Sequence, residues 1–127
     1  MVVPLSYLRW LPVIMVTGAL GAVASVSGSS LPDFLHHGMD KFVHAIVYSL
    51  LAASYLYGFG PMGKGFPYRI SFATGFFCLL YALCEEWYQQ FIPGRIADRF
   101  DLRADIIGFL SLISLWLMLT LILKKKR

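Results

Sequence analysis

An aspartate, a histidine and a tyrosine recur at intervals of four residues, at Asp40, His44 and Tyr48. Residues four apart lie on one face of an α-helix, so these side chains would point the same way. A histidine with a carboxylate partner titrates near neutral pH and can act as a general base or a nucleophile. The pattern therefore predicts a catalytic His44, oriented either by Asp40 or by Glu86 from elsewhere in the chain.

A structural interpretation of the same residues stays open. Asp40 would lie at the start of a helix, where a carboxylate accepts hydrogen bonds from free backbone N–H groups, and for Asp40 alone we prefer this interpretation. Lys41 would extend its ammonium group towards the lipid headgroups, and His44 would make one hydrogen bond between helices. A buried imidazole costs free energy unless it is partnered, so both interpretations predict a partner for His44.

A second polar group lies near the end of another apolar run. Gln89 follows Glu86 by three residues, so the two can share a helical face, whereas Glu85 is turned by about 100° from Glu86. An unpaired charge at membrane depth costs on the order of 3 kcal/mol, so Glu86 must be protonated or meet a cation such as Arg95 or Lys41. We expect Glu86 to belong to the site and Gln89 to position a substrate or its water; a purely structural salt bridge is the alternative.

Charged residues of both signs alternate between the last two apolar runs. Three aspartates, spaced to share one helical face, are Asp98, Asp101 and Asp105. Three arginines form a second stripe at intervals of four: Arg95, Arg99 and Arg103. Arginine suits phosphate because it forms bidentate hydrogen bonds, and carboxylates near a histidine suit a divalent cation. The segment therefore predicts that the arginines bind substrate and that the aspartates are metal ligands. The usual alternative is a solvated surface helix whose charges form salt bridges with one another.

Membrane-spanning helices must position these residues. The 127 residues are 58% hydrophobic and only 14% charged, which is rare in a soluble domain of this size. A helical crossing needs about 20 mostly apolar residues, and the sequence has such runs at about 7–27, 40–57, 68–91 and 104–123. We predict one all-α domain over residues 1–127, an integral membrane bundle of four transmembrane helices. A short interfacial segment, read as a helix over residues 95–103, would separate the third and fourth helices.

The distribution of charge predicts the orientation of this bundle. All seven acidic residues and the three histidines, His36, His37 and His44, fall at one end of the predicted helices. The other end is basic and carries no acid: Arg9, Lys64, Arg69 and the residues from Lys124 to Arg127. Because basic short loops mark the cytoplasmic side, we expect cytoplasmic termini and an extracytoplasmic polar site. His36 and His37 are interpreted as ordinary interface residues.

Several other functions are disfavoured by the sequence. The net charge of +4 does not indicate nucleic-acid binding, because the basic residues are scattered between apolar runs or anchor the last one. Cys78 and Cys84 lie six apart in one apolar run and offer neither a zinc nor a redox spacing. Arg9, the apolar run and Ala22-Val23-Ala24 imitate a secretory signal, but the run is long for one, which favours a retained first helix.

Four blocks of residues together resemble the VanZ-like membrane proteins over most of the chain. These are Trp10-x-Pro12, Ser29-Ser30, Asp40-Lys41-x-x-His44-x-x-x-Tyr48, and Tyr81-Ala82-x-x-Glu85-Glu86-x-x-Gln89-x-Phe91-x-Pro93-Gly94-Arg95, with Asp101 and Gly108 beyond them. Two positions depart from the family pattern: Glu85 stands where the family usually has Asp, and Asp105 where it commonly has Asn. The resemblance implies a four-helix fold in the bacterial cytoplasmic (inner) membrane and a link to the cell envelope. For the founding member that link is resistance to the glycopeptide teicoplanin.

The same resemblance favours lipid chemistry, since distant similarity has been proposed between such proteins and phosphatidylserine-synthase-like enzymes. We expect an enzyme that acts on the headgroup of a phospholipid or a polyprenyl-linked envelope precursor at the outer leaflet. Its catalytic residues would be His44, Glu86 and Asp40, and its substrate-binding residues would be Lys41, Tyr48, Gln89, Arg95 and Arg99. A divalent cation at Asp98, Asp101 and Asp105 is an option. A non-catalytic lipid or glycolipid binder, or a partner subunit, is the alternative; a transporter is disfavoured because the cytoplasmic halves of the helices are too apolar.

Overall fold

The computed structural model describes residues 5–33, 39–60 and 66–126, and these are mostly helical. The helices are α1 (Leu5–Leu8), α2 (Leu11–Ala24), α3 (Met39–Phe59), α4 (Pro67–Gln89) and α5 (Arg99–Lys125), with a 3₁₀ turn at Gly28–Ser30. Four helical spans within this part of the chain are long and apolar enough to cross a membrane: Ser6–Ala24, Met39–Phe59, Pro67–Gln89 and Arg99–Lys125. The predicted fold class, an all-α bundle with four membrane-spanning helices, is confirmed.

The last helix begins earlier than the sequence predicts. Asp98 is the N-cap of α5, and its side chain accepts a hydrogen bond from the Phe100 backbone N–H at 2.8 Å. Residues 95–98 are not helical, and Arg99 already lies in the first turn of α5. The prediction of a separate interfacial helix over residues 95–103 is therefore wrong. Because Asp98 caps the helix, residues 99–103 form the first turns of the fourth spanning helix.

The first span also differs in detail from its prediction. It is divided into α1 and α2 by a turn at Arg9 and Trp10, and Pro12 lies in the first turn of α2. Proline is accepted there because the first backbone N–H groups of a helix have no intrahelical partner. The helix stops at Ala24, since the serines that follow hydrogen-bond locally, with Ser25 Oγ donating to the Gly21 carbonyl.

The helices α3 and α5 form the tightest interface of the bundle. Gly108 of α5 lies so close to the Ala45 backbone that a methyl group there would overlap the Ala45 carbonyl oxygen. Ser49 Oγ bridges the same two helices by donating to the Gly108 carbonyl at 2.9 Å. Buried Tyr48, Leu51, Cys78, Ala82 and Phe109 belong to the apolar core beside this contact. A small residue at the crossing is a common device for close packing of membrane helices.

The span formed by α2 packs Val16 and Leu20 against the apolar core and makes polar contacts at discrete points. The Tyr81 hydroxyl donates to the Thr17 carbonyl at 2.7 Å in mid-helix. Beyond the end of α2, the Gly28 N–H donates to the Pro93 carbonyl at 3.1 Å, and the two backbones approach so closely that only glycine fits at Gly28. Gly94, which has a φ of +72°, supplies the left-handed conformation of the facing turn. This turn brings Arg95 beside α2.

Candidate functional site

The imidazole of His44 pairs with a carboxylate on a different helix. His44 Nδ1 lies 2.8 Å from Asp105 Oδ1, and the Asp105 side chain is only 2% exposed. A carboxylate buried this deeply is costly unless it accepts a hydrogen bond. The Asp105 carboxylate therefore favours the orientation and tautomer of the His44 ring in which Nδ1 carries the proton and donates it. His44 Nε2 is 3.9 Å from Asp101 Oδ2, too far for a hydrogen bond. The lone pair on Nε2 is therefore left to accept a proton.

Lys41 joins the starts of α3 and α5. Its ammonium group donates to Asp40 at 2.7 Å, to Asp98 at 2.9 Å and to Asp101 at 2.6 Å. Because each N–H group of the ammonium can serve one of these carboxylates, no donor of Lys41 is left free by the three hydrogen bonds. The hydrogen bond from Lys41, with that from the Phe100 N–H, lowers the pKa of the Asp98 carboxyl below its ordinary value. A substrate phosphate would have to displace one of these carboxylates to reach Lys41.

Tyr48 and Glu85 form a second hydrogen-bonded pair. The Tyr48 hydroxyl, on a fully buried side chain, donates to Glu85 Oε2 at 2.6 Å. Glu85, which was placed about 100° away from Glu86 around the helix, lines the same cavity as His44. Glu86 is half-buried, and within the described residues no cation lies at ion-pair distance from it. The partner that the sequence analysis assigned to Glu86, Arg95 or Lys41, is thus bound elsewhere.

Arg95 stands between the loop after α4 and the end of α2. Its Nε donates to the Val26 carbonyl at 3.2 Å, and its Nη2 donates to the Val23 carbonyl at 2.9 Å. These carbonyls lie in the last turn of α2 or just beyond it, where the regular hydrogen bonds of the helix end. The guanidinium carries further N–H groups, including those of Nη1, and within the described residues these make no hydrogen bond. Arg95 can therefore bind an anion without releasing α2.

Two cavities meet at His44 and Arg95. One, of about 480 Å³, lies among α2, α3 and α4 and is walled mostly by aliphatic side chains, with His44, Tyr48, Glu85, Gln89 and Arg95 as its polar members. The other, of about 500 Å³, opens among the charged residues at the end of the bundle and includes Asp40, Asp98 and Asp101 in its wall. Both walls contain Val23, Val43, His44 and Arg95. We call the first the aliphatic cavity and the second, which has the charged residues in its wall, the polar cavity.

The remaining predicted residues are distributed as follows. Gln89 is buried at 3% exposure in the aliphatic wall, whereas Arg99 is exposed and lines neither cavity. Asp98 and Asp101 are bound to Lys41, and Asp105 is bound to His44. Across residues 5–33, 39–60 and 66–126, no three His, Cys, Asp or Glu side chains are grouped so as to hold a metal ion. His36 and His37 lie outside the described residues.

Two contacts of the site were missed by the sequence analysis. The carboxylate that orients His44 is Asp105, rather than Asp40 or Glu86. Glu85 enters the site because it lies four residues before Gln89 and so shares its helical face, a spacing that is visible in the sequence. By contrast, nothing in the intervals along the chain pairs His44 with Asp105, because the two lie on different helices.

No protein-family model, curated protein or solved structure matches this chain. The class of protein is defined by its own architecture: a multi-pass membrane protein whose described residues form four helical spans long and apolar enough to cross a membrane. At one end of the bundle a half-buried histidine is paired with a buried aspartate, and the histidine lies at the junction of an aliphatic and a polar cavity.

Proposed function

We propose that the protein is a membrane-embedded enzyme that exchanges or hydrolyses the headgroup of a phospholipid or a polyprenyl-linked envelope precursor. The observation that carries this proposal is the position of His44. It is paired with Asp105 at 2.8 Å and lies in the wall of both the aliphatic and the polar cavity. An amphiphile whose chain occupies the first cavity and whose headgroup occupies the second would place its phosphate beside this imidazole.

The residues then have distinct roles in the reaction. His44 Nε2 removes the proton from water, or from the hydroxyl group of an acceptor, as its oxygen attacks phosphorus. The bond from phosphorus to the headgroup oxygen breaks, and the departing alcohol takes the proton back from His44. Asp105 holds the imidazole in the required tautomer and stabilises its protonated form, as in other carboxylate–histidine pairs. Arg95 binds the phosphate and stabilises the negative charge that builds up on its oxygens.

Lys41 has a positioning role in this scheme. Its contacts with Asp40, Asp98 and Asp101 link the first turns of α3 and α5, the two helices that carry His44 and Asp105. This assignment differs from the sequence-based one, in which Lys41 binds phosphate. Tyr48 and Glu85 bind each other in the cavity wall and limit the space below His44.

The proposal places the site at the outer leaflet of the bacterial cytoplasmic membrane. Its support is the basic, acid-free character of the opposite end, together with the resemblance to VanZ-like proteins, which adds the link to the envelope and to teicoplanin resistance. Labelling of cysteine variants at Ser29 and Lys126 with an impermeant reagent in intact cells tests the orientation. Labelling at Ser29 alone is expected, and labelling at Lys126 alone would reverse the assignment.

The catalytic proposal is tested with purified protein in vesicles that contain labelled phospholipid or a labelled undecaprenyl-linked precursor. Wild-type protein is expected to release the headgroup, and His44→Ala is expected to reduce the rate by about 10²- to 10⁴-fold. The matched control is Phe42→Ala, since Phe42 is 64% exposed on the same turn of α3 and lines neither cavity. Binding of lipid without turnover by the wild type would reject the enzyme and favour the lipid-binding protein.

A further inference from the structure

The amide of Gln89 is a buried polar group in an aliphatic wall. Gln89 is 3% exposed at the end of α4, lines the cavity among α2, α3 and α4, and makes no side-chain hydrogen bond within the described part of the chain. The wall around the amide is otherwise mostly hydrocarbon, from residues such as Val16, Leu20, Val47 and Leu50. The amide is therefore suited to a ligand that carries a polar atom into an apolar space.

The lipids of the proposed function differ in this respect. A glycerophospholipid carries ester carbonyls a few bonds below its phosphate, and each is a hydrogen-bond acceptor at the top of a hydrocarbon chain. A polyprenyl phosphate has hydrocarbon directly below its phosphate and offers no acceptor there. The carboxamide NH₂ of Gln89 is a donor at the same end of the bundle as Arg95, which is the anion-binding group of the same cavity.

We infer that the substrate is a diacyl glycerophospholipid, held with one acyl chain in the aliphatic cavity, its ester carbonyl on the Gln89 amide and its phosphate at Arg95. This inference rests on the proposed function for the site of the phosphate. It selects between the substrate classes that the proposed function leaves open. Gln89 is a specificity-determining residue in this arrangement, because its amide donates a hydrogen bond to a carbonyl oxygen that only the ester-linked lipid has.

The test compares two lipids that differ only in their ester carbonyl groups, which the diacyl lipid has and its ether analogue lacks. Diacyl phosphatidylglycerol and its dialkyl ether analogue, with equal chain lengths, compete for purified protein, and the bound lipid is quantified by native mass spectrometry. The wild type is expected to prefer the diacyl lipid by about two- to tenfold, the effect of one neutral hydrogen bond, and to bind undecaprenyl phosphate more weakly. Gln89→Leu is expected to abolish the diacyl preference.

The control is Gln90→Leu, the same substitution at an adjacent exposed residue that lines neither cavity, and it is expected to keep the preference. Equal wild-type binding of the two lipids would overturn the inference, and this comparison needs no variant to fold. A preference that persists in Gln89→Leu would overturn it as well. A diacyl preference without turnover would retain the lipid class and reject the enzyme, whereas turnover without a diacyl preference would retain the enzyme and reject the lipid class.

Discussion

The two sides of the bundle are built in different ways. On one side, α3 and α5 are in close contact through Gly108, Ser49 and the ion pairs of Lys41. On the other side, α2 contributes only Val13 and Ala24 to the buried apolar residues and is held by hydrogen bonds from Tyr81 and Arg95. The first interface is closely packed at Gly108, whereas the second borders the aliphatic cavity.

This difference separates two requirements of the proposed reaction. A base and its carboxylate must be held within a fraction of an ångström, and both lie on the rigid α3–α5 pair. A lipid must enter from the bilayer, and the cavity that would receive its chain lies beside the sparsely packed α2. Changes in the first interface should therefore affect catalysis and stability, and changes on the α2 side should affect lipid binding.

The largest effect is expected from Asp105→Asn. The asparagine keeps the shape of the side chain but removes the charge that stabilises a protonated His44, so turnover in the vesicle assay should fall by about 100-fold or more. The control is Asp33→Asn, at an exposed aspartate that lines neither cavity, and it should leave turnover unchanged. Wild-type rates in the Asp105→Asn variant would remove the pair from the mechanism.

The next effect concerns the fit between α3 and α5. Gly108→Ala places a methyl group against the Ala45 carbonyl, so the two helices must separate, and we expect a loss of about 1–3 kcal/mol in the free energy of unfolding in detergent micelles. Gly18→Ala is the matched control, because nothing lies within 4 Å of a methyl group at that position of α2. It should be neutral or stabilising by about 1 kcal/mol, since alanine favours a helix over glycine. Equal effects of the two variants would contradict the contrast between the interfaces.

A smaller effect is expected from narrowing the cavity on the α2 side. Ala19 lines the aliphatic cavity, and Ala19→Phe should weaken binding of phosphatidylglycerol by about five- to tenfold, as measured by competition in native mass spectrometry. Ala22 is exposed on the same helix and outside both cavity walls, so Ala22→Phe should bind the lipid like the wild type. Normal affinity in Ala19→Phe would show that the chain is bound elsewhere.

The smallest effect is a dependence on pH at the start of α5. The hydrogen bonds that lower the pKa of Asp98 stabilise its charged form. Its contribution to folding is therefore complete above the pKa of an unfolded aspartate, about 3.9, and is lost as the pH falls through the lower pKa of the folded state. The difference in melting temperature between the wild type and Asp98→Asn should therefore shrink as the pH falls below about 4. A difference that stays constant across this range would mean that the charge of Asp98 does not contribute.

The sequence was informative about the positions of the spans and about which residues share a face of one helix. Apolar runs located the four spans, and the interval of four residues placed His44 and Tyr48 on one face of α3, where both line the aliphatic cavity. The pairing of His44 with Asp105 was not predictable in this way, because it depends on how closely α3 and α5 approach at Gly108. The start of α5 was missed for a local reason, since the hydrogen bond at Asp98 outweighed the polarity of the residues that follow.

The most direct test of the site is a measurement of where the lipid phosphate lies. Solid-state NMR of ¹⁵N-labelled protein in phosphatidylglycerol vesicles can detect dipolar coupling between phosphorus and side-chain nitrogens. We expect phosphorus to couple to the Arg95 guanidinium and to His44 Nε2, with the Arg95 coupling retained in Asp105→Asn. Coupling only to the exposed basic residues at the other end of the bundle, Lys124 to Lys126, would contradict a phosphate site beside His44.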